Sequence, residues 1–126
     1  MNIKVAKSAG FCFGVSRAVD LVEKLVDEGK KVCTLGTIIH NPQKVQELSE
    51  KGVRIVDSPE EVHPDETLVI RSHGVSADVI DRINELSLSY SDATCPFVLK
   101  IHKIVSEHSQ KGETILIAGD RNHPEV

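Results

Sequence analysis

Cysteine and histidine are the residues of this sequence best suited to chemistry, and several stand in segments flanked by glycine or proline. Cys12 lies in GFCFG, His40 in IIHNP, His73 in RSHGV, Cys95 in DATCPF and His123 in RNHPEV. Thiolates are soft ligands for transition metals and iron–sulfur centres. Imidazoles donate hydrogen bonds to phosphate oxygens, either as neutral rings or as cations. The residue types therefore point to a metal, an anion, or both if the segments converge.

Each residue also has a plainer reading. A cysteine between two phenylalanines is commonly a buried apolar residue. Gly10 and Gly14 shift that balance for Cys12, because they permit tight backbone near a bulky ligand. Cys12 and Cys95 each stand just before an expected helix, where the dipole favours negative charge. Cys33, in KKVCTLG, falls within an apolar strand and is assigned to the core. His63, His102 and His108 have no comparable setting and read as surface residues. Thr94 is either a helix cap or a polar contact to a ligand. Glu125 follows His123 by two positions. Most such carboxylates are solvated, but beside a metal and a hydroxyl this one could carry protons. A cysteine-phosphatase reading of CFGVSR is set aside, because Cys12 and Arg17 are one residue too close for that phosphate cradle to close.

The elements that must position these residues follow from hydrophobic periodicity. Strands are predicted at residues 3–6, 31–35, 53–56 and 68–71, with a weak one at 88–91 and a last one at 114–118. Between them, Val15, Ala18, Val19, Val22, Leu25 and Val26 recur at helical spacing, and Gly29 ends that helix. A second helix runs through Val45 and Leu48 to Gly52. Ser76 opens a third, carrying Val79, Ile80, Ile83 and Leu86. Pro96 suits the first turn of a fourth, whose apolar face is Phe97, Val98, Ile101, Ile104 and Val105. Strand–helix alternation implies an α/β fold: a mostly parallel sheet flanked by helices. Ligands of such sheets bind outside the carboxyl ends of the strands. Each cysteine or histidine segment follows a predicted strand, so all should gather on one edge.

Composition narrows the classes. The chain has 126 residues, enough for one domain or one domain and part of another. Apolar residues are 40% but aromatics only 3%, so the core must be Val, Ile, Leu and Ala. A net charge of −4 excludes a general nucleic-acid or anionic-membrane surface. Neither a signal peptide nor a membrane span is read, and three widely spaced cysteines do not suit a secreted disulfide scaffold. The expected location is the cytoplasm. The last strand ends where another helix should begin, so the chain is expected to be truncated.

Taken together, GFCFGV, the HN of IIHNP, RSHGV, DATCP and HPEV, in this order and at these separations, resemble the LytB/IspH family of 4-hydroxy-3-methylbut-2-enyl diphosphate reductases. The resemblance spans Met1 to Val126. It implies the first part of a three-lobed α/β enzyme, with residues 1–95 as the first lobe and 96–126 as the beginning of the second. It implies a 4Fe–4S cluster with Cys12 and Cys95 as two ligands, the third family cysteine falling after Val126. By the same resemblance His40, His73 and His123 bind the substrate diphosphate, and Glu125 delivers protons toward the substrate hydroxyl. The implied reaction is reductive dehydroxylation to isopentenyl and dimethylallyl diphosphates, the last step of the non-mevalonate isoprenoid pathway. A ferredoxin or flavodoxin would supply the electrons. From the residues alone, two other readings stay open: a noncatalytic metal- or diphosphate-binding module, and a generic α/β interaction domain. A structural zinc site is disfavoured because no Cys-x-x-Cys or close His pair is present.

Overall fold

The structure, a computed structural model, describes residues 1–121 and 123. Helix α1 (Phe13–Asp27) buries Ala18, Val19, Val22 and Leu25, which lie on one face at helical spacing. The chain leaves it through Gly29 at φ 77°, a left-handed conformation that glycine adopts without penalty. Strand β1 (Lys31–Leu35) is buried from Val32 onward, as a strand covered on both faces must be. Helix α2 (Pro42–Glu50) is started by Asn41, whose Oδ1 accepts from the Lys44 amide at 2.9 Å, with Pro42 fixing its first turn. Then come β2 (Arg54–Val56), a single 3-10 turn (Pro59–Glu61), β3 (Glu66–Ile70), α3 (Ala77–Glu85), β4 (Tyr90–Asp92) and α4 (Pro96–Gln110).

The four strands pair in parallel in the order β2-β1-β3-β4. The strand period of two sends Val32 and Val69 to one face, where they pack with Val19, Val22 and Leu25 of α1 and Leu48 of α2. Cys33, Leu35, Leu68 and Ile70 go to the other face, against Ile83 of α3. Burying one such aliphatic side chain contributes about 1.5–3 kcal/mol, and the sheet is held largely by these two layers.

The chain leaves β1 toward β2 on the first face and leaves β3 toward β4 on the second. Connections of one handedness require that change of face. Between β1 and β3 the outgoing loops therefore diverge and open a crevice at their carboxyl ends. This is the α/β architecture expected from the sequence.

Two predicted strands are absent. Residues 3–6 and 114–118 are irregular, and Ile3, Val5, Leu116 and Ile117 are exposed. Apolar alternation is a local property, whereas a strand exists only where a neighbour accepts its ladder. The apolar face of α4 is also largely uncovered: Val98 is buried, but Phe97 and Ile101 are 70% and 55% exposed. No helix among the described residues is long and apolar enough to cross a membrane.

Candidate functional site

Cys12, His40 and Cys95 sit at or just before the starts of α1, α2 and α4, and His73 lies in the loop between β3 and α3. Cys12 is the residue that caps α1, and its carbonyl accepts from the Ser16 amide at 2.9 Å. Cys95 caps α4 in the same way, its carbonyl accepting from the Leu99 amide at 3.0 Å. Neither thiol hydrogen-bonds its own helix, and both are free. A Cβ placed on Gly14 would lie 2.6 Å from Cys95 Sγ. The Cys95 thiol therefore rests on the first turn of α1, two positions beyond Cys12. The Cys95 thiol thus stands against the helix that Cys12 begins.

Cys33 behaves differently. It is fully buried in β1, and burial, reinforced by the negative charge of Glu66, pushes its thiol up to about 12. It is a core residue, as expected.

His40 follows β1 and His73 follows β3, one on each of the diverging loops. Their ring centroids are 4.5 Å apart. The two rings thus pair across the crevice at the switch between β1 and β3. Ser72 fastens the same loops together. Its hydroxyl donates to Ile38 O at 3.2 Å, and its own carbonyl accepts from the Cys95 amide at 2.9 Å. One buried residue thus ties the His40 loop, the His73 loop and the Cys95 turn.

Arg71 braces the opposite side. Its Nε donates to Gly74 O at 3.4 Å, and its Nη1 lies 2.8 Å from where a Gly36 Cβ would stand. A cleft of about 550 Å³ opens beside His40 and Asn41, lined mainly by carbon from Ile39, Val45 and Ile55. That lining does not suit a diphosphate, and neither cysteine borders it.

His123 lies beyond α4 on an exposed segment, its amide donating to Asp120 O at 2.9 Å. It is not part of the His40–His73 ring pair. Glu125 lies outside the described residues. Cys12 and His123 follow irregular segments rather than strands, so the rule that led to them holds strictly only for His40, His73 and Cys95.

Two residues escaped the sequence reading. Arg17, weighed only as a phosphatase arginine, donates instead to the carbonyls of Thr94 at 3.1 Å and Asp92 at 3.3 Å. Ser72 is a serine in RSHGV with no signal of its own. His102 is exposed, as the sequence reading assigned it, and its Cε1 lies 3.0 Å from where a Cβ on Gly74 would stand. Thr94 is buried and folds the turn before Cys95, its amide donating to Asp92 Oδ1 at 2.7 Å and its hydroxyl to the same oxygen.

Free thiols at two adjoining helix starts are the donors an iron–sulfur cluster takes. Among the described residues, no group of three or more Cys, His, Asp or Glu could hold a metal ion. Cys12 and Cys95 therefore fit part of a cluster's ligand set and do not make a closed structural metal site.

Comparison with known proteins agrees with this geometry. The family model described as LytB protein matches residues 3–126. A 4-hydroxy-3-methylbut-2-enyl diphosphate reductase of Thermoanaerobacter sp. (strain X514) is 47% identical over all of this chain and 45% of its own length. One from Clostridioides difficile (strain 630) is 44% identical, again over the whole chain and 46% of its own length. A solved (E)-4-hydroxy-3-methyl-but-2-enyl diphosphate reductase superposes with TM-score 0.82 at 43% identity, covering 98% of this chain and 44% of that one. The corresponding Plasmodium falciparum enzyme gives TM-score 0.88 at 29% identity, over 94% and 38%. The chain thus spans a little under half the length of these relatives.

Proposed function

Because the chain belongs to the LytB protein family, we propose that it is the amino-terminal portion of an iron–sulfur 4-hydroxy-3-methylbut-2-enyl diphosphate reductase. The observation that carries this reading is the seating of the Cys95 thiol on Gly14, beside Cys12, at the sheet edge where His40 and His73 pair. In this reading Cys12 and Cys95 hold two corners of a 4Fe–4S cluster, and residues outside this chain complete it. Such a cluster, when bound, supplies electrons and an open iron that acts as a Lewis acid on the leaving oxygen.

This chain's own residues would bind and orient the substrate. His40, His73 and His123 donate to the diphosphate oxygens, which neutralises a local anion without making an acidic protein basic. Glu125 would deliver a proton toward the departing hydroxyl. Two electrons and two protons then replace the hydroxyl by hydrogen and release water, giving isopentenyl or dimethylallyl diphosphate. A ferredoxin or flavodoxin is the proposed donor and the cytoplasm the proposed location. Residues 1–95 form the first lobe and 96–126 begin the second, consistent with the uncovered apolar face of α4.

The test is anaerobic reconstitution of the protein at its natural length, read by visible absorption and iron content. Cluster uptake that Cys12→Ser or Cys95→Ser abolishes supports the reading. A colourless protein with both cysteines intact would overturn it in favour of a noncatalytic diphosphate- or metal-binding module.

A further inference from the structure

Arg17 stands on α1, the helix that Cys12 caps, and its guanidinium leaves that helix to reach the turn that carries Cys95. Nη1 donates to Thr94 O and Nη2 to Asp92 O, at 3.1 and 3.3 Å. That turn is pinned at two further points: Asp92 Oδ1 accepts from the Thr94 amide, and the Cys95 amide donates to Ser72 O. Both of these ties come from the sheet side of the site. Arg17 adds a tie from α1 itself. The planar fork has its donors in fixed directions, so engaging two carbonyls sets both a distance and an angle between α1 and the turn.

We propose that Arg17 is a positioning residue that sets the placement of the Cys95 thiol relative to Cys12. The inference rests on the reading of those cysteines as cluster ligands, and it adds a role for a residue that touches neither sulfur in that role. Two features make the tie specific. Gly14, one turn before Arg17 on the same helix, leaves the gap into which Cys95 Sγ fits. Thr94, whose carbonyl Arg17 holds, is the residue immediately before Cys95. Loosening that carbonyl rotates the peptide from which the cysteine departs.

The experiment compares the wild type with Arg17→Gln and Arg17→Lys, at natural length, by three readouts. In the metal-free protein, iodoacetamide labelling of Cys95 is followed by peptide mass spectrometry, with exposed Cys12 as the internal reference. In the reconstituted protein, chelator-driven iron loss and the paramagnetic resonance spectrum of the reduced cluster are recorded. Arg17→Gln is expected to raise the Cys95-to-Cys12 labelling ratio several-fold, to release iron about ten-fold faster, as outer-shell changes typically do, and to alter the spectrum. Arg17→Lys should recover part of each effect, since an ammonium can still reach a carbonyl.

An unchanged labelling ratio in both variants overturns the proposal, whatever the iron content. So does iron loss that merely tracks the unfolded fraction measured by circular dichroism. A wild type that takes up no iron, but whose labelling ratio still responds to Arg17, defeats the cluster reading while leaving the tie intact. Should Arg17→Gln fail to fold, Arg17→Lys carries the same comparison.

Discussion

Cys95 and Gly14 share a space that holds only one of their side chains: a Cβ on Gly14 would stand 2.6 Å from Cys95 Sγ and 3.0 Å from Cys95 Cβ. Gly14 is inside α1, where alanine would ordinarily favour the helix by about 1 kcal/mol. The contact reverses that preference. In Gly14→Ala either the thiol swings away or it stays and strains the start of both helices, at about 1–3 kcal/mol. The swing is the easier path, since Cys has one rotatable side-chain bond. If Cys95 holds a cluster as proposed, Gly14→Ala at natural length is thus expected to lose most of its iron while melting close to the wild type. Iron content and the thermal midpoint, measured on the same preparation, check this. Full iron retention would mean that the Cys95 thiol does not use this seat.

Cys33 supplies the contrast. Its thiol is fully buried and held near 12, so it is protonated at pH 8 and unreactive in the native state. Iodoacetamide should label Cys12 readily and Cys33 only after denaturation. Cys33→Ala should cost about 1 kcal/mol in packing, as removal of a small buried group does, and should leave iron uptake unchanged. Iron loss in Cys33→Ala that exceeds its unfolded fraction would overturn the assignment of Cys33 to the core alone.

Asn41 caps α2 directly after His40. Its Oδ1 accepts from the Lys44 amide at 2.9 Å. Asn41→Ala should lower stability by about 1 kcal/mol, and Asn41→Ser by distinctly less, because a hydroxyl can replace the acceptor. Urea unfolding of the two variants decides this, and equal midpoints would show that the cap does not hold the helix. If His40 binds a diphosphate as proposed, binding of inorganic pyrophosphate, followed by calorimetry, should weaken in Asn41→Ala as well, since His40 immediately precedes Asn41.

How much of this could be read in the residues follows from the range of each interaction. The α1 face of Ala18, Val19, Val22 and Leu25 repeats locally, and Gly29 marks its stop, so the helix was legible. Cys95 at the start of α4 was legible from Pro96. Residues 3–6 and 114–118 misled, because alternation says nothing about whether a partner strand is present. Arg17 was illegible in its true role: it binds carbonyls 75 and 77 positions away, and a backbone carbonyl carries no side-chain signature. Ser72 was hidden for the same reason, its acceptor being Ile38 O.

At the opposite edge of the sheet, Arg54 on β2 grips Glu66 at the start of β3 with two bonds, 2.8 and 2.9 Å, while the His63 amide donates to the same carboxylate at 2.9 Å. Glu66 is buried, and these donors, Arg54 above all, hold its carboxyl at about 2. A carboxyl lowered on folding contributes stability that is fully present above its unfolded value, near 4.3. That contribution is lost as pH falls through the folded value, near 2. Its size is on the order of 2–3 kcal/mol, since each unit is worth about 1.4 kcal/mol. Arg54→Ala removes the chief donor and leaves a buried charge unpaired, at a cost of about 3 kcal/mol near neutrality. The deficit relative to the wild type should shrink between pH 5 and pH 2.5, because the variant's carboxyl accepts a proton earlier and the wild type forfeits its advantage. Iron binding should be unaffected in the folded fraction, since the pair lies at the amino ends of the strands. Urea melts of both proteins across that range test the sign. A deficit that stays constant with pH would show that Arg54 acts through packing rather than through the charge of Glu66.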